Sequence, residues 1–350
     1  MANVMNALIK TAPEPGAMEY VEDFPMPELN EDEVLIEIKA CGICGTDHSL
    51  YKWNEAIANS YKLTWPSIFG HEFAGVIAEV GAKAPADLKV GDRVTANPVL
   101  FCGTCAYCEV GLTNICDNRP FYGTDLPGAF AKYMKIRGSN VIKMPDSVSF
   151  VQGALIEPLG VAINAVERLD PQLGDTACII GPGAIGLLMA SVLKFKGVSK
   201  VIVTGLGSDA PRLEIAEKLG CITVNGSEVD PIEKVKELTG GRGVNLCFDA
   251  AGHFTAVEQA IQMVDKNGKI GLTGLPAQNS SIPVTTVSMR EISLIGNRAY
   301  ERKHFRQALL MLDQGLDIDY CASHVMPLSD WQKAMDLLDN REGLRIILEP

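Results

Sequence analysis

Across residues 1–150, apolar and polar positions alternate loosely and over short spans. Val34-Leu-Ile-Glu-Ile-Lys39, Phe73-Ala-Gly-Val-Ile-Ala-Glu-Val80 and Arg93-Val-Thr-Ala96 each read as a strand with one buried face. Gly70, Gly75, Gly81, Pro85, Gly91 and Pro98 punctuate them densely. Short strands separated by such turns predict a barrel-like β domain. Near Ser149 the pattern changes. Short apolar runs at 177–180, 201–204, 222–224, 244–248, 269–273 and 292–295 then alternate with helical periodicity at about 184–196, 210–219, 230–239 and 254–265. That rhythm predicts βαβ units and a doubly wound parallel sheet, giving an α/β chain with a separate β domain. Beyond Gly296 the pattern predicts helices at 304–313 and 331–338 and a closing strand at 344–348.

At 350 residues the chain is long enough for two cores, and a content of 47% hydrophobic and 21% charged residues is ordinary for a globular protein. The net charge of −12 excludes nucleic acid and anionic membrane surfaces as expected partners, because both select basic faces. The apolar stretch 177–195 is broken by three glycines and a proline, so it reads as strand, loop and helix and not as a membrane span. Met1 to Lys10 lacks a basic segment followed by an apolar run, so no signal peptide is expected. With ten cysteines, this points to a reducing, cytoplasmic setting in which thiols serve metals.

Four of those cysteines form Cys102-x2-Cys105-x2-Cys108-x7-Cys116. Four thiolates so close suit a tetrahedral zinc with no open position, hence a structural one. The chain also carries Cys41-Gly-Ile-Cys44-Gly-Thr46-Asp47-His48, then Gly70-His71-Glu72, and much later Glu157-Pro-Leu159. A thiolate, an imidazole and a carboxylate from separated segments would suit an open zinc site, but spacing alone does not pair them. Taken singly, Cys44 also reads as a buried thiol, His71 as a core histidine and Glu157 as a surface charge.

Thr176–Ile180 runs into Gly181-Pro-Gly183-Ala184-Ile185-Gly186 and then an apolar helix. Between a strand and a helix, G-x-G-x-x-G acquires meaning as a dinucleotide loop. Gly181 allows the turn, Gly183 admits the pyrophosphate and Gly186 lets helix and strand pack closely. The next strand ends in Gly205, where an acidic residue would select a free ribose 2′-hydroxyl. A bare glycine there favours NADP, with Ser208 and Arg212 in reach of a 2′-phosphate and Asp209 as a helix cap; binding of NAD through backbone groups stays open.

Together these motifs, in this order and over essentially the whole chain, resemble the zinc-dependent medium-chain dehydrogenases that include alcohol, sorbitol and threonine dehydrogenases. The resemblance implies a GroES-like β-barrel catalytic domain at 1–153 and 298–350, with a structural zinc lobe at about 97–118. A Rossmann domain at 154–297 would be inserted between its two parts. It implies two zinc ions per chain, NAD or NADP, and a homodimer or homotetramer formed near 292–295. Cys44, His71 and Glu157 correspond to catalytic zinc ligands and Glu72 to a carboxylate beside the metal. Asp47 corresponds to the residue orienting the histidine, Thr46 to the first proton acceptor, and Cys102, Cys105, Cys108 and Cys116 to the structural site. Cys41 belongs to neither set and reads as a buried thiol. Relatives carry a relay histidine five residues after the zinc cysteine. Ser49 stands there, and His48 is the alternative. The expected reaction is oxidation of a secondary alcohol, a polyol or sugar alcohol first. Threonine comes second because Tyr51-Lys-Trp53-Asn54 is similar to threonine dehydrogenases. A zinc and nucleotide sensor without turnover is the reading from another class.

Overall fold

The computed structural model describes residues 4–350. The chain divides into two compact units. One holds Met1–Glu157, Glu301–Gly315 and Cys321–Pro350; the other holds Pro158–Tyr300 and Leu316–Tyr320.

The first unit begins with β1 (Val4–Lys10), β2 (Met18–Pro25), β3 (Glu33–Gly42), β4 (Ser67–Ile68) and β5 (Glu72–Val80). It continues with β6 (Arg93–Ala96), β7 (Tyr133–Arg137) and β8 (Val141–Lys143). The second unit supplies β9 (Thr176–Ile180), β10 (Lys200–Gly205), β11 (Ile222–Asn225), β12 (Val244–Asp249), β13 (Val264–Leu272) and β14 (Ser293–Gly296). The chain then returns to the first unit with β15 (Ala322–Pro327) and β16 (Arg345–Glu349).

In the first unit, β15-β16-β3-β5-β6-β8 form one sheet, with β7 also paired to β3. The terminal strand β16 lies antiparallel to β3, with Ile347 opposite Gly42 and Leu348 opposite Cys41. A smaller sheet runs β2-β1-β4. The alternation read in the sequence buries Val34, Ile36, Ile38, Phe73, Ile77 and Val94 in a shared core. Bulges in the β3–β5 ladder, between Leu35 and Ile36 and between Ile38 and Ala40, curve the sheet as a barrel wall requires. Lys10 is fully buried in this unit; its Nζ donates to the carbonyls of Glu14 and of Gly16, the latter at 2.6 Å, and lies 5.8 Å from the Trp53 ring centre.

The second unit's sheet is parallel throughout, in the order β11-β10-β9-β12-β13-β14. β14 is an edge strand. Strands buried on both faces are uniformly apolar, which is why Ala177–Ile180 and Val201–Val203 are almost fully buried. The expected helix over 254–265 stops at Met263, because buried Val264 already pairs with Val244 and opens β13. Several elements lie outside the expected set, among them β1, β2 and the helices Gly45–Tyr51 and Ile156–Leu169. The helix Arg302–Asp313 starts two residues before its expected position because Glu301 caps it, donating its N–H to His304 Nδ1 at 2.8 Å. Among the described residues, no helix is long and apolar enough to cross a membrane.

Candidate active site

Two glycines let two segments of the first unit converge. β3 ends at Gly42, and a Cβ there would come within 2.5 Å of a Glu72 carboxylate oxygen. Gly70 has φ +91°, and a Cβ there would meet Phe130 at 2.5 Å and the Cys41 sulfur at 2.9 Å. Glycine at both positions thus brings the Cys44 turn and the His71-Glu72 segment against one another.

Asp47 ties these segments together. One of its oxygens accepts the Cys44 backbone N–H at 2.8 Å, and the other accepts the Gly70 N–H at 3.3 Å. That second oxygen also lies 3.5 Å from His71 Nδ1. Asp47 is fully buried, and the His71 ring packs 4.9 Å from that of Phe121.

Ligand atoms of Cys44, His71 and Glu72 all lie within 4.8 Å of one another. Sulfur, nitrogen and oxygen donors at that spacing suit zinc. Both Glu72 oxygens are buried without a hydrogen-bond partner, the condition of atoms prepared for a cation. Glu72 is instead neutralised by Arg345, at 3.0 Å. Burial pushes the Glu72 carboxyl up to about 7; Arg345 opposes the rise and Glu157 adds to it. Burial disfavours a charged His71, but Asp47 and Cys44 outweigh it and hold the ring well above its ordinary value.

Glu157 stands outside this trio. It is buried in the first turn of the helix Ile156–Leu169, near enough for its charge to act on both Glu72 and Arg345. Thr46 is half-buried on the helix that Cys44 caps. His48 turns to the C-terminal part of the chain, with its Nε2 2.7 Å from Asp339, whose other oxygen bonds Lys52. Ser49, at the relay position of relatives, donates its hydroxyl to the Gly45 carbonyl at 2.8 Å. Cys41 is a fully buried thiol, raised by burial well above the usual range.

The thiols of Cys102, Cys105, Cys108 and Cys116 form a second cluster within 4.8 Å. Sulfur separations of 3.5 Å (Cys102 to Cys116), 3.8 Å (Cys105 to Cys116) and 4.0 Å (Cys102 to Cys108) are those of co-ligands and far too long for disulfides. The Thr104 backbone N–H leads in drawing Cys102 down to about 6, whereas burial pushes Cys108 up to about 12.

In the second unit Gly181 has φ +101°, and a Cβ there would touch the Ala251 backbone at 2.9 Å. A Cβ on Gly186 would lie 2.1 Å from the Gly181 carbonyl, whereas Gly183 faces open space and caps the helix Ala184–Phe195. These are the three glycine roles of a dinucleotide loop, and the unbonded N–H groups of that helix suit a pyrophosphate. Ile185 lines a cavity of about 250 Å³ with Ala250, Gly252, Thr273, Gly274 and Leu275. A second cavity of about 320 Å³ is bordered by Gly181, Thr204, Gly205, Leu206, Asp209 and Thr255. Buried Asp249 shapes the turn between the two by accepting the Ala251 and Gly252 N–H groups at 3.0 and 3.1 Å. Ser208 sits in the short 3-10 turn Gly207–Asp209, and Arg212 lies 3.6 Å from the Asp209 carboxylate.

Arg345, Asp249 and Asp339 escaped the sequence reading. Each acts through a partner that no local spacing announces. Asp209, expected as the cap of the helix Ala210–Lys218, makes no capping hydrogen bond to it through its carboxylate and accepts the Leu206 N–H instead.

Residues 30–146 match the family model described as "Alcohol dehydrogenase GroES-like domain", and residues 184–314 match "Zinc-binding dehydrogenase". The chain is 34% identical to an L-threonine 3-dehydrogenase of Bacillus velezensis over all of both proteins. It is 36% identical to a sorbitol dehydrogenase of Bacillus subtilis over 94% of each. Among solved structures, a zinc-binding dehydrogenase from Sinorhizobium meliloti bound to NADP superimposes with a TM-score of 0.90, at 27% identity over 99% of each chain.

Proposed function

The chain belongs to the zinc-dependent medium-chain dehydrogenase family, and on that premise we propose that it oxidises a secondary carbinol of a polyol or sugar alcohol to the ketone. It is a zinc-dependent, NAD(P)-linked alcohol oxidoreductase. The observation that carries the site assignment is the convergence of Cys44, His71 and Glu72 ligand atoms within 4.8 Å, beside buried Glu157.

When bound, zinc supplies Lewis acidity that lowers the alcohol's pKa, and NAD(P) accepts the hydride. Cys44 and His71 would be the fixed ligands. Asp47, at His71 Nδ1, leaves Nε2 for the metal and fixes the ring's orientation. Two carboxylates compete for the remaining protein position. Arg345 holds Glu72 back by neutralising it, which supports Glu157 as the ligand and Glu72 as the carboxylate beside the metal. Thr46 would accept the proton of the substrate hydroxyl while releasing its own hydroxyl proton outward. His48, anchored to Asp339 and partly exposed, passes it to solvent. In the other unit Gly181, Gly183 and Gly186 receive the pyrophosphate with Ala184 and Ile185.

The sorbitol and D-arabitol-phosphate dehydrogenases among the relatives support the polyol reading, and Trp53 adds no weight to the threonine one. Its ring packs 5.8 Å from that of Trp65 and 5.8 Å from the Lys10 ammonium, so the Tyr51–Asn54 resemblance to threonine enzymes reflects packing. The two compact units support a catalytic domain made from both chain ends with a nucleotide domain inserted, with boundaries at 157/158 and 300/301 and with Leu316–Tyr320 grouped with the nucleotide domain. All ten cysteines are free thiols, which supports a cytoplasmic setting. Edge strand β14 and the exposed side chains of Leu275, Ile282, Val284 and Met289 support a homo-oligomer formed through the second unit.

The test is steady-state kinetics with sorbitol, galactitol, L-threonine and 2-butanol, each with NAD and NADP. Polyols are expected to give the highest kcat/KM. An L-threonine value more than about tenfold above every polyol overturns the substrate assignment. No turnover of any alcohol by zinc-loaded protein favours the sensor.

A further inference from the structure

The cavity of about 320 Å³ at the ends of β9, β10 and β12 carries a charge pattern that the nearby glycine loop does not explain. Among the described residues that line it, Asp209 is the one carboxylate, and lysine and arginine do not occur. The strand end itself, Gly205, leaves little room for a side chain. A Cβ there would lie 2.9 Å from Pro182, inside the glycine loop, and 3.3 Å from the Asp209 Cβ. A side chain at Gly205 would force Pro182 to shift, and the loop Leu206–Asp209 delivers a carboxylate into the same cavity from four residues further on.

That carboxylate is held in place. One oxygen accepts the Leu206 N–H at 3.0 Å, and the other faces Arg212 at 3.6 Å, outside hydrogen-bond range. The loop is pinned in turn by the Gly207 N–H donating to Ser227 Oγ at 2.8 Å and by the Gly226 N–H donating to the Gly205 carbonyl at 2.8 Å. A carboxylate oxygen accepts more than one hydrogen bond, so Asp209 keeps acceptor capacity for a diol.

We propose that Asp209 is the specificity-determining residue of the adenosine site, accepting from the ribose hydroxyls and selecting NAD over NADP. The inference rests on the reading of this chain as a dehydrogenase and of this cavity as the adenosine site. A 2′-phosphate would bring about two negative charges against Asp209 in a cavity whose lining holds no lysine or arginine and has His253 as its one basic side chain. Arg212 acts as the counter-ion of Asp209 and not as a phosphate ligand. The bare strand end that favoured NADP in the sequence is thus answered by a residue the turn folds back.

The test is calorimetric titration of the zinc-loaded protein with NAD and NADP, without substrate. The wild type is expected to bind NAD at least about 100-fold more tightly. Asp209→Asn keeps an acceptor for Leu206 while removing the charge. It should narrow the preference to about tenfold or less at an unchanged melting temperature. Arg212→Gln should leave NADP binding weak. Wild-type affinity for NADP equal to or above that for NAD overturns the inference alone. So does an unaltered preference in Asp209→Asn, or a loss of about tenfold in NADP affinity in Arg212→Gln. Binding of neither nucleotide removes the dehydrogenase reading, and the inference falls with it.

Discussion

Arg345, on the terminal strand, lies 3.0 Å from the carboxylate of Glu72, which is fully buried beside Cys44 and His71. Burial and the negative charge of Glu157 make Glu72 costly to ionise, and Arg345 is the cation that offsets them. Removing Arg345 leaves Glu72 either charged without its cation or driven to protonate, and removing Glu72 leaves Arg345 unpaired. Arg345→Met should therefore destabilise the fold by about 3–5 kcal/mol in denaturant titrations. Glu72→Gln combined with Arg345→Met should recover part of the loss. A double variant no more stable than Arg345→Met alone would show that the pair is not the source.

Cys44→Ala and His71→Ala should each abolish turnover and lower the zinc content by one ion per chain. NAD(P) binding and far-UV circular dichroism should remain. Normal turnover by protein verified to lack that ion would remove the assigned centre.

Cys105→Ser targets the other thiol cluster, whose role is architectural. The variant should lose one zinc, melt at a lower temperature and become sensitive to limited proteolysis between residues 97 and 118. The protein that survives purification should keep the wild-type KM. A wild-type melting curve would count against a structural metal there.

Lys10 supplies a pH signature away from both clusters. Burial lowers its pKa from 10.5 to about 8, with the Glu14 charge opposing. Between pH 8 and 10.5 the unfolded chain therefore binds more protons than the folded one, so this residue's contribution to stability rises with pH across that window. Lys10→Met should lose the increment. It should also cost about 1–3 kcal/mol by leaving the Glu14 and Gly16 carbonyls without their donor. Parallel pH–stability curves for the two proteins would refute the assignment.

Met289, 79% exposed on the helix Val284–Met289 before β14, probes assembly. Met289→Asp should shift the light-scattering mass towards the monomer while leaving zinc content intact. An unchanged mass would exclude this face.

The sequence by itself determined whatever lies close along the chain. The four cysteines from Cys102 to Cys116 and the glycines from Gly181 to Gly186 are each confined to a few turns of backbone, so spacing specifies their geometry. The apolar alternation of β3 and β5 and the continuous apolar runs of β9 and β10 followed from which faces must be buried. Only the tertiary structure decided which of the scattered ligands meet. Cys44, His71 and Glu72 converge because Gly42 and Gly70 admit close approach and because Asp47 ties the two segments. It also brought Arg345 to Glu72 by pairing β16 with β3, and Asp209 into the cavity that Gly205 leaves bare. A local motif is fixed by the covalent geometry between its residues. A charge pair or cavity joining distant residues exists only once packing has set the register between strands, and that register is a property of the whole sheet.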